Sequence, residues 1–211
     1  MNAKVPPLVS KPHGWTASHE QRWQQLLRRI LVVEGGFVDD PADRGGTTKY
    51  GISLRFLKAV GKIDTNRDGF ADLDLNFDTV LDGQDIRALT PQMAGDLFLK
   101  HFYLGPGFWV IPQPFDGALF DQAVNGGTTA AVKILQRALN SFGATPALKV
   151  DGDLGNLTHA RLLELIRQGK PVLQFVRVEA AERYRAIVRA DRTQQRFLKG
   201  WLRRAEELGR A

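Results

Sequence analysis

Apolar residues recur at helical spacing along most of the chain. Between Trp23 and Leu31 they lie three and four residues apart, which is the period of one buried helical face. The same spacing predicts further helices in residues 53–60, "DIRALTPQMAGDLFLKHFY", "FDGALFDQAVNGG", "AAVKILQRALNSFG", "HARLLELIRQG", residues 171–190 and a last segment around residues 197–202. Strand-forming residues are concentrated only in residues 47–52. We therefore expect a mainly α fold with a small β-hairpin or loop element and a helical C-terminal region.

Threonines mark three of the predicted helix starts. Thr90 precedes Pro91, which suits the first helical position, so Thr90 is the predicted cap of that helix. Thr128 or Thr129 is the predicted cap of the helix that follows "NGG", and Thr158 the predicted cap of "HARLLELIRQG".

An acid interrupts the first apolar stripe. Steps of four, three and four residues lead from Trp23 through Leu27 and Ile30 to Glu34, so Glu34 lies on the apolar face at the last turn of its helix. Burial disfavours a charged carboxylate, and the negative end of the helix dipole acts in the same direction, so the pKa of Glu34 is expected to rise. A carboxyl group that stays protonated near neutral pH can act as a general acid. The alternative is a helix-end carboxylate that faces water.

A second carboxylate follows in a polar, turn-rich segment. Asp43 lies nine residues after Glu34, where solvent and backbone donors would keep it ionised, although Asp39 or Asp40 could be the partner instead. One buried acid and one solvated carboxylate form the pair that glycoside hydrolysis uses. Thr47 and Tyr50 are the predicted substrate contacts beside this pair.

The composition sets wider limits on function. The chain has 211 residues and a formal net charge of +6, which favours an anionic partner such as an envelope polymer, a membrane surface or nucleic acid. It contains no cysteine, which excludes disulfides and zinc–thiolate sites. The first residues contain no apolar stretch of signal-peptide length. We therefore expect a monomeric protein that is made and folded in the cytoplasm, so if it acts outside the cell, something else must let it out.

An acidic loop has the spacing of a calcium site. The segment "DTNRDGFADLD" places oxygen ligands at the first, third, fifth, seventh and ninth positions of an EF-hand-like loop, with glycine at the sixth. The predicted ligands are Asp64, Asn66, Asp68, the Phe70 carbonyl and Asp72. Leu75 stands where the last acidic ligand is expected. The sequence predicts a structural calcium ion, and the alternative is a solvated acidic turn.

The C-terminal helices are strongly cationic. Their basic residues are Arg183, Arg185, Arg189, Arg192, Arg196, Lys199, Arg203 and Arg204. A solvated helical face and attraction to peptidoglycan carboxylates or outer-membrane phosphates both fit this pattern. Nucleic-acid binding is disfavoured, because the aromatic residues have core spacing and no helix-turn-helix motif is found.

Several segments together resemble one enzyme family. "EGGFVDDPADRGGTTKYGIS" resembles the opening motif of glycoside hydrolase family 108, and "DIRALTPQMAGDLFLKHFY" and "FDGALFDQAVNGGTTAAVKILQRALN" resemble its later segments. "VDGDLGNLTHARL" and "FLKGWLRRAEEL" are similar to the associated peptidoglycan-binding region. The resemblance covers roughly residues 20–208. It departs from the family at Phe37, where tyrosine is usual, and at Lys49, where a small polar residue is common.

The resemblance implies a fold, a reaction and further site residues. It implies a lysozyme-like fold and an N-acetylmuramidase of the phage endolysin type, which needs no cofactor for its chemistry. The family's acid falls on Glu34 and the aspartate of its turn on Asp43. Asp121, Gln122 and Asn125 fall in "FDGALFDQAVNGG", the second segment that the resemblance implies at the substrate cleft. There they either bind substrate or form a polar helix end. A lytic transglycosylase and a non-catalytic cell-wall-binding protein are the other readings.

The predicted domain organisation follows the motifs. Residues 1–20 are expected to be a flexible tail, residues 21–127 the lysozyme-like catalytic region, and residues 128–211 a helical peptidoglycan-binding-like region packed on it.

Overall fold

The computed structural model describes residues 9–34, 36–38, 47–64, 67, 69–143 and 146–210. These residues fall into two compact units, residues 1–101 and 102–211, and each is described by itself. None of the helices in the described ranges is long and apolar enough to cross a membrane.

Among its described residues, the first unit contains four α-helices and a small sheet. The helices are α1 (Ala17–Glu34), α2 (Leu54–Val60), α3 (Gly83–Ala88) and α4 (Pro91–Phe98), and the strands are β1 (Phe37–Val38), β2 (Thr48–Lys49) and β3 (Ile52–Ser53). The strands are antiparallel in the order β1-β2-β3. A π-helical turn, Leu99–Leu104, follows α4. The core is built by the predicted stripe of α1, in which Trp23, Leu26 and Ile30 are buried.

A close helix contact fixes α4 against α1. A Cβ atom at Gly95 would lie 3.0 Å from the Cδ2 atom of Leu27, so only glycine lets the two helices approach this closely without a shift. The contact holds the second half of α1, and therefore its C-terminal end, on the core of the first unit.

The regular elements in the described part of the second unit are all helices. They are a 3₁₀ turn (Phe108–Val110), α5 (Phe115–Gly126), α6 (Thr128–Asn140), α7 (Asn156–Arg167), α8 (Val172–Ala190), a 3₁₀ segment (Arg192–Phe197) and α9 (Leu198–Glu206). Residues 115–123 of α5 are all buried, so α5 is the central helix of this unit. It packs on α6, which packs on α8, and α8 packs on α9.

The observed caps confirm one threonine prediction and correct two. Thr90 caps α4, because its hydroxyl accepts a hydrogen bond from the Met93 N–H, and Pro91 is the first helical residue. At α6 the cap is Gly127, whose φ of 90° suits glycine, and Thr128 is already helical. At α7 the cap is Gly155. Thr158 lies inside that helix, where it is buried and accepts a hydrogen bond from Gln136.

Candidate active site

Glu34 is the last residue of α1, which confirms its predicted place at the last turn of the helix. The last turn of α1 contains no basic residue that would offset the negative end of the helix dipole. The backbone around Glu34 therefore disfavours the charged form of a carboxylate. Its side chain lies outside the described part of the chain.

A two-residue turn closes the hairpin that follows. Lys49 pairs with Ile52, and Tyr50 and Gly51 between them have φ angles of 53° and 80°. Two successive positive φ angles are the signature of a type I′ turn, which matches the twist of antiparallel strands. The sequence predicts either a hairpin or an irregular loop around residues 47–52, and the structure has a hairpin there. Tyr50 adopts a conformation that glycine or asparagine normally supplies.

Asp43 belongs to the connection between β1 and β2 and lies outside the described residues. The pairing of Phe37 with Lys49 brings the two ends of this connection together.

The hairpin is attached to α3 on the side of β2. The Lys49 ammonium donates a hydrogen bond to the Arg87 carbonyl at the end of α3 and lies 5.4 Å from the centre of the Tyr50 ring. Thr47 lies against Gly83, where a Cβ atom would meet the Thr47 hydroxyl at 3.4 Å. Lys49, one of the departures from the family pattern, thus anchors the hairpin.

An open groove of about 660 Å³ runs along α3. Its lining includes Gly83, Gln84 and Arg87, and Gly83 connects it to Thr47 on the hairpin. Polar groups and accessible backbone at such a groove suit a polar, extended ligand.

The acidic loop is organised by carboxylates that accept backbone N–H groups. Asp64 accepts a hydrogen bond from the Gly69 N–H at 3.0 Å. Asp74 accepts from the N–H groups of Asp78 and Thr79, and Asp85 accepts from those of Leu75 and Asp82. Asp85 is fully buried, and this burial raises its pKa. These bonds supply partners to a backbone that has neither helix nor strand to satisfy it.

The calcium prediction is only partly covered by the structure. Asp64, Phe70 and Asp72 are described, whereas Asn66 and Asp68 lie outside the described residues. Within the described ranges, no group of three or more His, Cys, Asp or Glu side chains is placed to hold a metal ion. Calcium binding stays a prediction.

The predicted substrate residues of α5 are part of a polar network inside the second unit. The Gln122 amide donates to the Tyr184 hydroxyl at 3.0 Å, and that hydroxyl donates to the Asn125 side-chain oxygen at 3.0 Å. The Asp121 carboxylate accepts from the Arg204 Nε at 2.8 Å. We call these five residues the α5 network. Burial raises the pKa of Tyr184, so its hydroxyl keeps its proton.

The α5 network joins α5 to α8 and α9, which sequence reasoning did not anticipate. Asp121 and Gln122 are buried, so their side chains are engaged inside the protein. Next to the network, the Arg183 guanidinium lies against Gly126, where an added Cβ atom would meet it at 2.2 Å. Arg183 and Arg204, both counted in the cationic surface, are thus half-buried. A substrate role for Asp121, Gln122 and Asn125 stays a prediction.

Comparison with known proteins identifies the class of this chain. Residues 27–127 match the model of the family described as Glycosyl hydrolase 108, and residues 130–206 match the one described as Predicted Peptidoglycan domain. Residues 27–127 therefore form a glycosyl hydrolase 108 domain, and the chain is a glycoside hydrolase that acts on peptidoglycan. The matches meet near residue 128, whereas the compact units divide after residue 101, so α5 belongs to the catalytic family match and to the second unit.

The fold has a counterpart among solved structures. The chain is similar to the protein in "Structure of Brucella abortus SagA", with a TM-score of 0.67 and 23% sequence identity over 90% of this chain and 92% of that chain. This likeness confirms the mainly α, lysozyme-like fold that the sequence predicts. A comparison with curated proteins gave no match.

Proposed function

We propose that this protein is an N-acetylmuramidase that hydrolyses the β-1,4 bond between N-acetylmuramic acid and N-acetylglucosamine, with Glu34 as general acid. The observation that carries the proposal is the place of Glu34: it ends a helix with one buried apolar face, shortly before the hairpin, inside the segment that matches a glycoside hydrolase family. The helix end disfavours the charged carboxylate and so favours the protonated form that an acid catalyst needs.

The reaction requires a proton donor and a group that deals with the developing positive charge. Glu34 gives its proton to the glycosidic oxygen as the bond to the anomeric carbon breaks. Asp43 then either activates water on the opposite face of the sugar or stabilises the oxocarbenium-like transition state. Water supplies the new hydroxyl group on the N-acetylmuramic acid. Where Asp43 is the base, it takes the proton that water releases and both carboxyl groups return to their starting state by exchange with solvent; where Asp43 only stabilises charge, the water gives that proton directly to Glu34.

The hairpin supplies the proposed substrate contacts, Thr47 and Tyr50. A non-glycine residue in the left-handed region costs roughly 1–2 kcal/mol, and such strain is often found where a side chain has a functional task. The φ of 53° at Tyr50 therefore supports a role for its side chain at the sugar. The groove along α3, whose lining residue Gly83 lies next to Thr47, offers Gln84 and Arg87 to further sugar units.

Digestion of purified peptidoglycan by the wild type and by Glu34→Gln, with mass analysis of the soluble fragments, tests the mechanism. Reducing N-acetylmuramic acid ends from the wild type only are the expected result. Anhydro ends would identify a lytic transglycosylase instead. If neither protein released fragments, a non-catalytic cell-wall-binding protein would be the better account.

We further propose that the enzyme acts as an endolysin, which reaches the periplasm through a membrane pore and is drawn to the envelope by its cationic helices. The exposed basic residues of α8, α9 and the segment between them support this attraction; they are Arg185, Arg189, Arg192, Arg196, Lys199 and Arg203. Salt-sensitive binding to vesicles of anionic lipid, with weaker binding to neutral vesicles, is expected. Equal binding to both would contradict the proposal, and tighter binding to DNA would favour a nucleic-acid partner.

A structural calcium ion in the loop that begins at Asp64 is a separate proposal. Its support is the ligand spacing and the Asp64 carboxylate, which already organises the turn at Gly69. The melting temperature is expected to be higher in excess calcium than in excess chelator. Equal melting temperatures would exclude the ion.

A further inference from the structure

The second unit contains a large groove beside α7 that the proposed reaction does not use. It has a volume of about 950 Å³ and is lined by the segment before α7, by the exposed side of α7 and by Gln136 of α6. We call it the α7 groove. It lies within the part of the chain that matches the predicted peptidoglycan domain.

One buried side chain holds the wall of the α7 groove in place. The Gln136 amide nitrogen donates to the Asp151 carboxylate at 2.9 Å and to the Asp153 carbonyl at 3.0 Å, and its oxygen accepts from the Gly152 N–H at 2.9 Å. Gln136 is 1% exposed. A buried residue that satisfies three groups of one loop makes the wall preformed rather than adaptable.

Arg161 is a partly buried cation in the wall of the groove. Its Nη1 donates to the Glu164 carboxylate at 2.8 Å, and its side chain is 17% exposed. Its Nε–H is buried and has no acceptor in the described part of the chain, so it lies out of reach of a ligand in the groove. The exposed part of the guanidinium can offer the N–H groups that Glu164 does not take, and a guanidinium fork matches the two oxygens of a carboxylate. A ligand carboxylate in the groove would therefore find donors at Arg161.

The start of α7 also faces the groove. Gly155 is its cap and has no side chain to bond the first-turn N–H groups, and Asn156 and Leu157 after it line the groove. The positive end of a helix dipole adds to the attraction for a carboxylate. Arg161 and the uncapped helix start favour the same kind of ligand group independently.

The remaining lining indicates which part of peptidoglycan fits. Charges of both signs are present, with Lys149 and Arg167 against Asp151 and Glu164, and Leu157 is 79% exposed. Sugar rings are commonly held by stacking on aromatic side chains, and none of the described residues that line the groove is aromatic. Stem peptides carry alanine methyl groups, free carboxylates and, in many cell walls, a free amino group.

We propose that the α7 groove binds the stem peptide of peptidoglycan, with Arg161 and the start of α7 receiving a peptide carboxylate. This inference rests on the proposed function, because it assigns a second part of the same substrate to the second unit. The enzyme would then hold the cross-linked peptide with one unit and cut the glycan with the other.

The free tetrapeptide of alanine, γ-linked glutamate, diaminopimelate and alanine is the probe, measured by calorimetry on the full chain. The wild type is expected to bind it, and Arg161→Ala to bind it about tenfold more weakly, the effect of losing one charged hydrogen bond. Arg185→Ala is the matched control, since Arg185 also pairs with a glutamate three residues away but lies outside the groove. No binding by the wild type, or equal binding by Arg161→Ala, would overturn the inference.

A second variant guards against a folding defect in Arg161→Ala. Leu157→Asp replaces an exposed residue and puts a negative charge at the start of α7, which the helix dipole tolerates well. It should keep the melting temperature and weaken tetrapeptide binding, whereas unchanged binding would count against the groove.

Glycan strands stripped of peptide by an amidase separate this inference from the proposed function. If the wild type cleaves these strands but does not bind the tetrapeptide, only the proposed peptide binding by the α7 groove is wrong. If it binds the tetrapeptide but cleaves nothing, only the proposed muramidase activity is wrong.

Discussion

Two segments within the glycosyl hydrolase 108 match, the β2–β3 hairpin and helix α5, use their polar residues in opposite ways. In the first unit, Thr47, Lys49 and Tyr50 stand half-exposed on a hairpin beside an open groove. In the second unit, Asp121 and Gln122 are buried, and Tyr184 and Arg204, 62 and 83 residues away along the chain, take up their polar groups. The polar residues of the hairpin are therefore accessible from solvent, whereas those of α5 hold helices together.

The difference separates activity from stability. On the proposed function, loss of a hairpin side chain removes a contact with substrate but leaves the core untouched. Loss of a member of the α5 network leaves buried polar groups without partners, which destabilises the fold. Paired substitutions can therefore show which segment does which task.

The largest expected effect is on activity, in the first segment. Glu34→Gln should lower peptidoglycan hydrolysis by roughly 10²–10⁴-fold, the usual contribution of a general acid, with little change in melting temperature. Initial rates of reducing-end release and a thermal melt measure the two quantities. A variant that kept full activity would leave another residue as the acid.

The next effect is on stability, in the second segment. Arg204→Met should lower the free energy of unfolding by about 3 kcal/mol, because it leaves the largely buried Asp121 carboxylate without its cation. Arg203→Met is the control, since the Arg203 side chain is 81% exposed on the same helix. Denaturant unfolding of both variants measures the difference, and equal stabilities would show that the Asp121–Arg204 pair contributes little.

Two tyrosines allow the same chemical change in both segments. Tyr184→Phe should cost about 1–2 kcal/mol of stability, because Gln122 and Asn125 lose their shared hydroxyl partner. Its KM, measured well below the melting temperature, should not change. Tyr50→Phe should raise KM a few-fold, the loss of about one hydrogen bond, and leave the melting temperature unchanged. The opposite assignment of the two effects would reverse the comparison.

The smallest effect concerns pH and the first unit. Burial, with the neighbouring Lys100, lowers the pKa of His101 below its ordinary value of 6.5, so the unfolded chain takes up a proton before the folded one. Stability should therefore be complete above about pH 6.5 and decline as the pH falls below it. His101→Phe keeps a ring against Phe56 and should reduce the fall in melting temperature between pH 7.5 and 5.5. His13→Phe, at an exposed site, should not.

Local signals in the sequence predicted most of the helices and the place of Glu34. The apolar stripe of α1 determines which face of the helix is buried, with Trp23, Leu26 and Ile30 on it. The same helical spacing reaches Glu34 at the helix end. The cap formed by Thr90 and Pro91 has its hydrogen-bond partner within three residues, so the local sequence is enough to predict it.

Contacts distant in sequence account for the predictions that failed and for the features that were missed. Thr158 looks like a cap, but its partner is Gln136, 22 residues earlier in the chain, and Gly155 takes the cap instead. The α7 groove was missed for the same reason: "VDGDLGNLTHARL" contains Asp151 and Arg161, but Gln136 shapes the wall from another helix. The short helix α3 was read as part of a longer loop and helix, because Asp82 and Asp85 form its reciprocal cap within an acidic run.

The contact between Gly126 and the Arg183 guanidinium constrains how this sequence can diverge. A side chain at position 126 requires the Arg183 guanidinium to move away, whereas a smaller residue at position 183 leaves room for alanine at 126. The two positions are therefore expected to vary together, with glycine at 126 accompanying arginine at 183.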